Sequence, residues 1–141
     1  MRFLALDYGS RRIGRAHCDA FEIVVTPDEP LERVGREKDL AALARYIEEG
    51  EFEGVVVGVP FGRDGEIGKA AANVLEFVEA LRARVRVPVL TWDERFSTVA
   101  AAERLRVAAP NSARFKRERK RRIDGAAAAV ILEEFLSARK K

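Results

Sequence analysis

Histidine and cysteine are almost missing from this chain, with one of each, adjacent as His17 and Cys18. A lone cysteine cannot close an internal disulfide, and this pair is too small a set for a zinc site built from histidine and cysteine. Neither residue is assigned chemistry; core packing or incidental exposure accounts for both. Long apolar runs are also lacking: none approaches the roughly 20 residues that cross a bilayer, so no membrane partner is expected. The first residues lead into Asp7 and Gly9 without the hydrophobic stretch of a signal peptide, and the expected location is the cytoplasm.

What is present fits a water-soluble fold. Hydrophobic residues make up 48% of the chain and charged residues 35%, a balance unlike that of a disordered chain. The length of 141 residues suits a single domain spanning 1–141. A formal charge of +3 and a pI near 9.3 say little alone, but the charge is concentrated. Seven of the nine positions from Arg114 to Arg122 are basic: Arg114, Lys116, Arg117, Arg119, Lys120, Arg121 and Arg122. Such a run is either a solvated, mobile surface segment or a grip on a polyanion such as the phosphate backbone of a nucleic acid.

The residue pattern predicts the elements in order. Met1 to Tyr8 is an apolar strand ending at a Tyr-Gly turn, and Arg12 to Cys18 and Glu22 to Thr26 are two further strands, with Pro27 and Pro30 breaking the pattern afterwards. Leu40, Leu43, Ala44 and Ile47 fall at helical spacing within Glu37 to Glu49. Gly54 to Val59 suits a strand covered on both faces. After a glycine-punctuated loop, Ala71, Val74, Leu75, Val78 and Leu81 share one face of a second helix. Val89 to Trp92 is a short strand, Ser97 or Thr98 can cap a third helix running to Val107, and Ile123 to Ala138 makes the last. Ala109 to Arg122 lacks periodicity and reads as a functional or mobile loop. Three leading strands followed by β-α units imply an α/β fold, a five-stranded mixed sheet with its first strand central and helices on its faces.

Active sites of open α/β sheets gather beyond the carboxyl ends of the strands, and three acidic positions lie there. Asp7 closes the first strand, with Gly9 leaving room beside it; it could equally form a local Asx turn. Asp93 and Glu94 follow the Val89–Trp92 strand, and because side chains alternate along an extended chain only one points into a site. Glu94 is favoured, against an ion pair with Arg95 or a carboxylate at the start of a helix. Asp124 opens the last helix on the face of Ala128, Ile131, Leu132 and Phe135. That face must pack on the sheet and turns Asp124 inward, although a first-turn acid can also simply cap its helix. Carboxylates gathered from separate elements repel unless a cation lies between them. Hard ions with oxygen ligands, Mg²⁺ or Mn²⁺, suit such a set, and two of them would support in-line phosphodiester hydrolysis without any histidine.

At this point four stretches resemble the YqgF/RuvX family, described both as Holliday-junction-resolvase-like proteins and as nucleases for pre-16S rRNA. They are LALDYGSRRIGRA at 4–16, VVVGVPFGRDG at 55–65, TWDERFSTVAAAERL at 91–105 and RIDGAAAAVILEEFL at 122–136. They occur in family order over nearly the whole chain. The resemblance implies a ribonuclease-H-like fold, catalytic and metal-holding acids at Asp7, Glu94 and Asp124, and phosphate contacts at Arg12 and Arg95. It ranks processing of the 5′ end of pre-16S rRNA first and resolution of branched DNA second; a homodimer is expected only for the second, because a symmetric junction needs two active sites. Arg15, where the family is usually apolar, and Phe61-Gly62-Arg63, in place of a Leu-Asn-x stretch, depart from the family pattern.

Two other classes compete. Actin-like ATPases share the fold and the Asp-x-Gly turn but close two lobes over nucleotide, and the loop before Lys69 is not a P-loop, since Arg63 replaces its first glycine and Ala70 its Ser/Thr. A non-catalytic nucleic-acid-binding or ribosome-assembly factor would not need the three acids. Trp92 could stack on a base, but beside a strand end it more naturally supports the core.

Overall fold

The computed structural model describes residues 1–94 and 113–140, with the backbone alone for 113–124. Five strands, β1 (Phe3–Tyr8), β2 (Arg12–Cys18), β3 (Val25–Glu32), β4 (Gly54–Val59) and β5 (Val89–Asp93), form one sheet in the order β3-β2-β1-β4-β5. The first three pair antiparallel, while β1–β4 and β4–β5 are parallel. The sheet is therefore mixed and β1 is central, as the residue pattern predicts. Helices α1 (Arg36–Glu49) and α2 (Lys69–Arg82) cover one face, and α3 (Ala113–Arg139) covers the other.

Alternation sorts the side chains between the two faces. Leu4, Leu6, Ile13, Val55, Val57 and Val59 pack with Leu40, Leu43, Val74 and Leu81 of α1 and α2. Phe3, Ala5, Cys18 and Val56 pack with Ile131, Leu132, Phe135 and Leu136 of α3. This two-sided burial explains the unbroken valine run of β4. Small residues let α3 come close: Ala128 and Ala129 pack on Ala16 of β2, and a Cβ at Gly125 would lie 3.5 Å from the Asp28 carbonyl oxygen and the Pro27 side chain.

Two boundaries differ from expectation. The third strand runs Val25–Glu32 rather than Glu22–Thr26 and contains both prolines. The Asp19 carboxylate accepts hydrogen bonds from the amides of Ile23 (2.7 Å) and Val24 (3.0 Å), so a turn consumes residues 19–24. Pro27 and Pro30 are tolerated because β3 is an edge strand, where a missing ladder donor can face outward. The last helix starts at Ala113, not Ile123, so the run Arg114–Arg122 is helical backbone rather than loop. Arg, Lys and Glu favour helix even where no apolar face gives the run a periodicity. The helix expected from Ser97 or Thr98 to Val107 lies outside the described residues.

His17 and Cys18 serve packing and pairing. Cys18 is buried and accepts the Phe3 amide at 3.3 Å, and His17 Nδ1 lies 2.7 Å from Asp28 Oδ2. Trp92 supports the core as expected: its indole N–H donates to Glu134 of α3 at 3.1 Å and its ring meets Phe135 edge-on.

Candidate active site

Asp7 lies on β1 one residue before the strand ends, on the side of Phe3 and Ala5 and hence of α3. It pairs in register with Gly14 of β2. After Tyr8 the chain reverses tightly, with the Gly9 amide donating to the Arg12 carbonyl at 2.9 Å. A Cβ at Gly9 would lie 2.6 Å from that same carbonyl oxygen, so a side chain there would open the turn that ends β1 beside Asp7.

Glu94 follows β5 directly, and its amide donates to the Val59 carbonyl at 3.2 Å, which extends the pairing of β5 with β4 by one residue. Alternation turns it to the α3 side. Its side chain is among the few buried charged groups described, at 8% exposure. Gly58 makes the space: a Cβ there would collide with Glu94 Oε2 and with Ile131 Cδ1 of α3. The Val55-Val56-Val57-Gly58-Val59 pattern carried this signal, a glycine inside a strand marking close approach of another group.

The electrostatics are those of two acids forced together. The Glu94 carboxyl is raised from its ordinary 4.5 to about 8, first by burial and then, in that order, by the negative charge of Asp7, a hydrogen bond with Asp7 and the charge of Asp93. One proton shared between the two carboxyls is the natural resolution in the absence of a cation. Even so, Glu94 Oε2 is buried with no hydrogen-bond partner. A deeply buried acceptor aimed beside a second carboxylate fits a hard divalent cation, which both satisfies the oxygen and removes the repulsion. Among the described residues no cluster of three or more metal-ligating side chains forms; Asp7 and Glu94 supply two. Asp124 lies in α3 one turn before Ala128 and two turns before Ile131, the residue packed near Glu94, and its side chain is outside the described residues. Asp93, the other member of the acidic pair, stands in register with Val59.

The expected phosphate contacts are placed unevenly. Arg12 begins β2 at the same end of the sheet and its Nε donates to Glu32 at 2.8 Å. Arg95 lies outside the described residues, as do the side chains of Arg114, Lys116, Arg117, Arg119, Lys120, Arg121 and Arg122. The residue reading missed Arg33. Its guanidinium donates to the carbonyls of Gly9 (3.0 Å) and Ser10 (3.3 Å), stands 3.5 Å from buried Asp39 and covers the Tyr8 ring at 4.5 Å. It braces the turn beside Asp7.

A mixed five-stranded sheet with β1 central, α3 packed across it and two acids meeting at the carboxyl ends of β1 and β5 is the arrangement of a ribonuclease-H-like fold. T. thermophilus RuvC in complex with a Holliday junction substrate has the same fold, with a TM-score of 0.62 at 17% identity over 99% of this chain and 96% of that one. So does the Fowlpox virus resolvase in its complex with Holliday junction DNA, with a TM-score of 0.62 at 10% identity over the full length of both. The chain belongs to the RuvX family, described as Holliday junction resolvase, whose profile matches residues 1–138. A Desulforudis audaxviator protein that bears the name "Putative pre-16S rRNA nuclease" is 42% identical over 99% of this chain and 96% of its own length. A Halothermothrix orenii protein of the same name is 38% identical over 100% and 98%. No helix among the described residues is long and apolar enough to cross a membrane.

Proposed function

We propose that this protein is a divalent-metal-dependent nuclease that hydrolyses phosphodiester bonds at Asp7, Glu94 and Asp124 and trims the 5′ end of pre-16S rRNA in the cytoplasm. The observation that carries the catalytic reading is the buried, unpartnered Oε2 of Glu94 beside Asp7. A carboxylate is costly to bury in this state unless a cation completes it. Two ions, Mg²⁺ or Mn²⁺, would supply an activated water and neutralise the leaving oxygen. Asp7 and Glu94 hold the cationic site at the sheet's end, Ile131 and Gly58 fix the Glu94 rotamer, and Asp124 completes the ligand set from α3. Arg12, Arg95 and the basic first turns of α3 bind the substrate phosphates; because that run leads directly into Asp124, a polyanion held by it passes the site. The RNA assignment rests on the names of the relatives.

A second reading, resolution of branched DNA by a homodimer, is favoured by the family description. One experiment tests both: the same preparation is offered single-stranded RNA, single-stranded DNA and a four-way junction, with Mn²⁺, with Mg²⁺ and with EDTA. Metal-dependent cleavage of RNA in preference to the junction supports the first reading, and paired symmetric cuts in the junction the second. Cleavage that survives EDTA removes the metal site from the mechanism.

A further inference from the structure

Alternation along β1 sends Asp7 to the α3 side of the sheet and the next residue, Tyr8, to the side of α1 and α2. The strand end that carries the acid thus also presents an aromatic ring on the reverse face. Beside that ring lies a hollow of about 270 Å³ lined by Tyr8, Arg33, Arg36, Asn73, Glu76 and Phe77. Tyr8 is stacked on Phe77, with ring centroids 4.3 Å apart and planes 25° from parallel, and Arg33 lies over Tyr8 at 4.5 Å. The layers Phe77, Tyr8 and Arg33 make a rigid platform, because Phe77 is buried in the core and Arg33 is tied to the Gly9 and Ser10 carbonyls. Around it stand groups that can read the edge of a flat heterocycle: the exposed amide of Asn73, and the carboxylate of Glu76, which is 3.3 Å from Arg36.

Planar guanidinium and aromatic surfaces, ringed by a few amide and carboxylate groups, are the chemistry that binds a nucleobase. We propose that this hollow holds one unpaired base of the substrate, from a nucleotide flanking the bond cut at Asp7. The inference rests on the nuclease reading above and adds a requirement to it. The carboxylates and the hollow are on opposite faces of the sheet at one strand end, so a backbone placed at Asp7 must swing a base around the Gly9–Ser10 turn to reach the Arg33 guanidinium that caps the stack. A base held in a duplex cannot do so without leaving its stack. The protein therefore selects substrates with an unpaired nucleotide next to the cleavage point, as a single strand, a frayed end or a junction centre supplies.

The test compares binding of a single-stranded oligonucleotide with that of the same oligonucleotide made abasic at one position at a time, in Ca²⁺ in place of Mg²⁺. Wild-type protein is expected to bind about tenfold more weakly when one position is abasic, the scale of losing one stacked base. Asn73→Trp, at an exposed position of α2, fills the hollow from its rim; it should lower binding of the intact oligonucleotide to the abasic level and leave binding of the abasic one unchanged. Asn73→Ala controls for loss of the amide alone and keeps most of the preference. Equal affinity of the wild-type protein for intact and abasic strands overturns the proposal and leaves the nuclease reading standing, as does a preference that survives Asn73→Trp. No binding of either strand overturns both.

Discussion

Glu94 gives the site a stability signature that can be read without any substrate. Its carboxyl is raised from 4.5 to about 8, first by burial and then by Asp7. Above the ordinary value the unfolded chain has released this proton while the folded chain retains it, so the folded state binds more protons and stability falls as pH rises, until the folded group ionises near 8. At about 1.4 kcal/mol for each pH unit, metal-free protein should lose roughly 3 kcal/mol between about pH 5 and pH 8 from this group. Glu94→Gln keeps the shape of the neutral acid and cannot ionise, so in EDTA its stability should lack that slope and exceed the wild type near pH 8. Mn²⁺ should act in the opposite sense, since it binds the ionised pair and displaces the shared proton. It should stabilise the wild type by roughly 3 kcal/mol at a hundredfold excess over its dissociation constant, more at pH 8 than at pH 6, and Glu94→Gln much less. Urea unfolding followed by circular dichroism at several pH values, with EDTA or Mn²⁺, measures all four curves. Parallel pH slopes for wild type and Glu94→Gln in EDTA, or equal stabilisation of both by Mn²⁺, would refute the reasoning.

Gly58→Ala places a methyl group against Glu94 Oε2 and Ile131 Cδ1; overpacking should cost about 1–3 kcal/mol, and Mn²⁺-dependent cleavage should fall at least tenfold, checked by unfolding and a cleavage time course. Asp7→Asn and Asp124→Asn each keep size and lose ligand charge, so cleavage should drop by about a hundredfold or more, on the scale of removing one electrostatic contributor to a transition state, while oligonucleotide binding measured by anisotropy persists. Replacing Lys116, Arg117, Lys120 and Arg121 with glutamine should weaken binding across sequences and flatten its salt dependence, each lost phosphate contact removing about 0.7–0.9 from the slope of log affinity against log salt; titrations at several salt concentrations decide it, and metal-induced stabilisation should stay unchanged.

Local pattern made the order of elements legible because each core strand and helix buries a distinct stripe. The β2 and β4 limits, Arg12–Cys18 and Gly54–Val59, follow directly from apolar runs bounded by turn residues. The third strand is not legible from its own residues because its limits are set elsewhere: by the Asp19 turn that delays it and by its edge position, which admits Pro27 and Pro30. The start of helix α3 is not legible because periodicity reports packing, and a helix turn with no apolar face has none to report.

The acids were legible for a different reason. Strand alternation in the sequence allows only one of Asp93 and Glu94 to face a site, and the register of Val59 with Asp93 in the structure then puts Glu94 with Asp7 on the side facing α3. What parity could not supply was the environment that makes the pair chemical rather than ornamental. That environment comes from a glycine in a neighbouring strand, an isoleucine more than thirty positions later in the chain, and a turn braced by Arg33. Of these only the glycine, inside a valine run, is marked by its own residue type. Two surface acids set at this spacing would ionise independently and bind a metal weakly. Burial beside Ile131 and contact with Asp7 turn Glu94 into a group that holds its proton well above the ordinary carboxylate range, and under the proposed function it is this packing by α3 that would be converted into metal affinity at the end of β1.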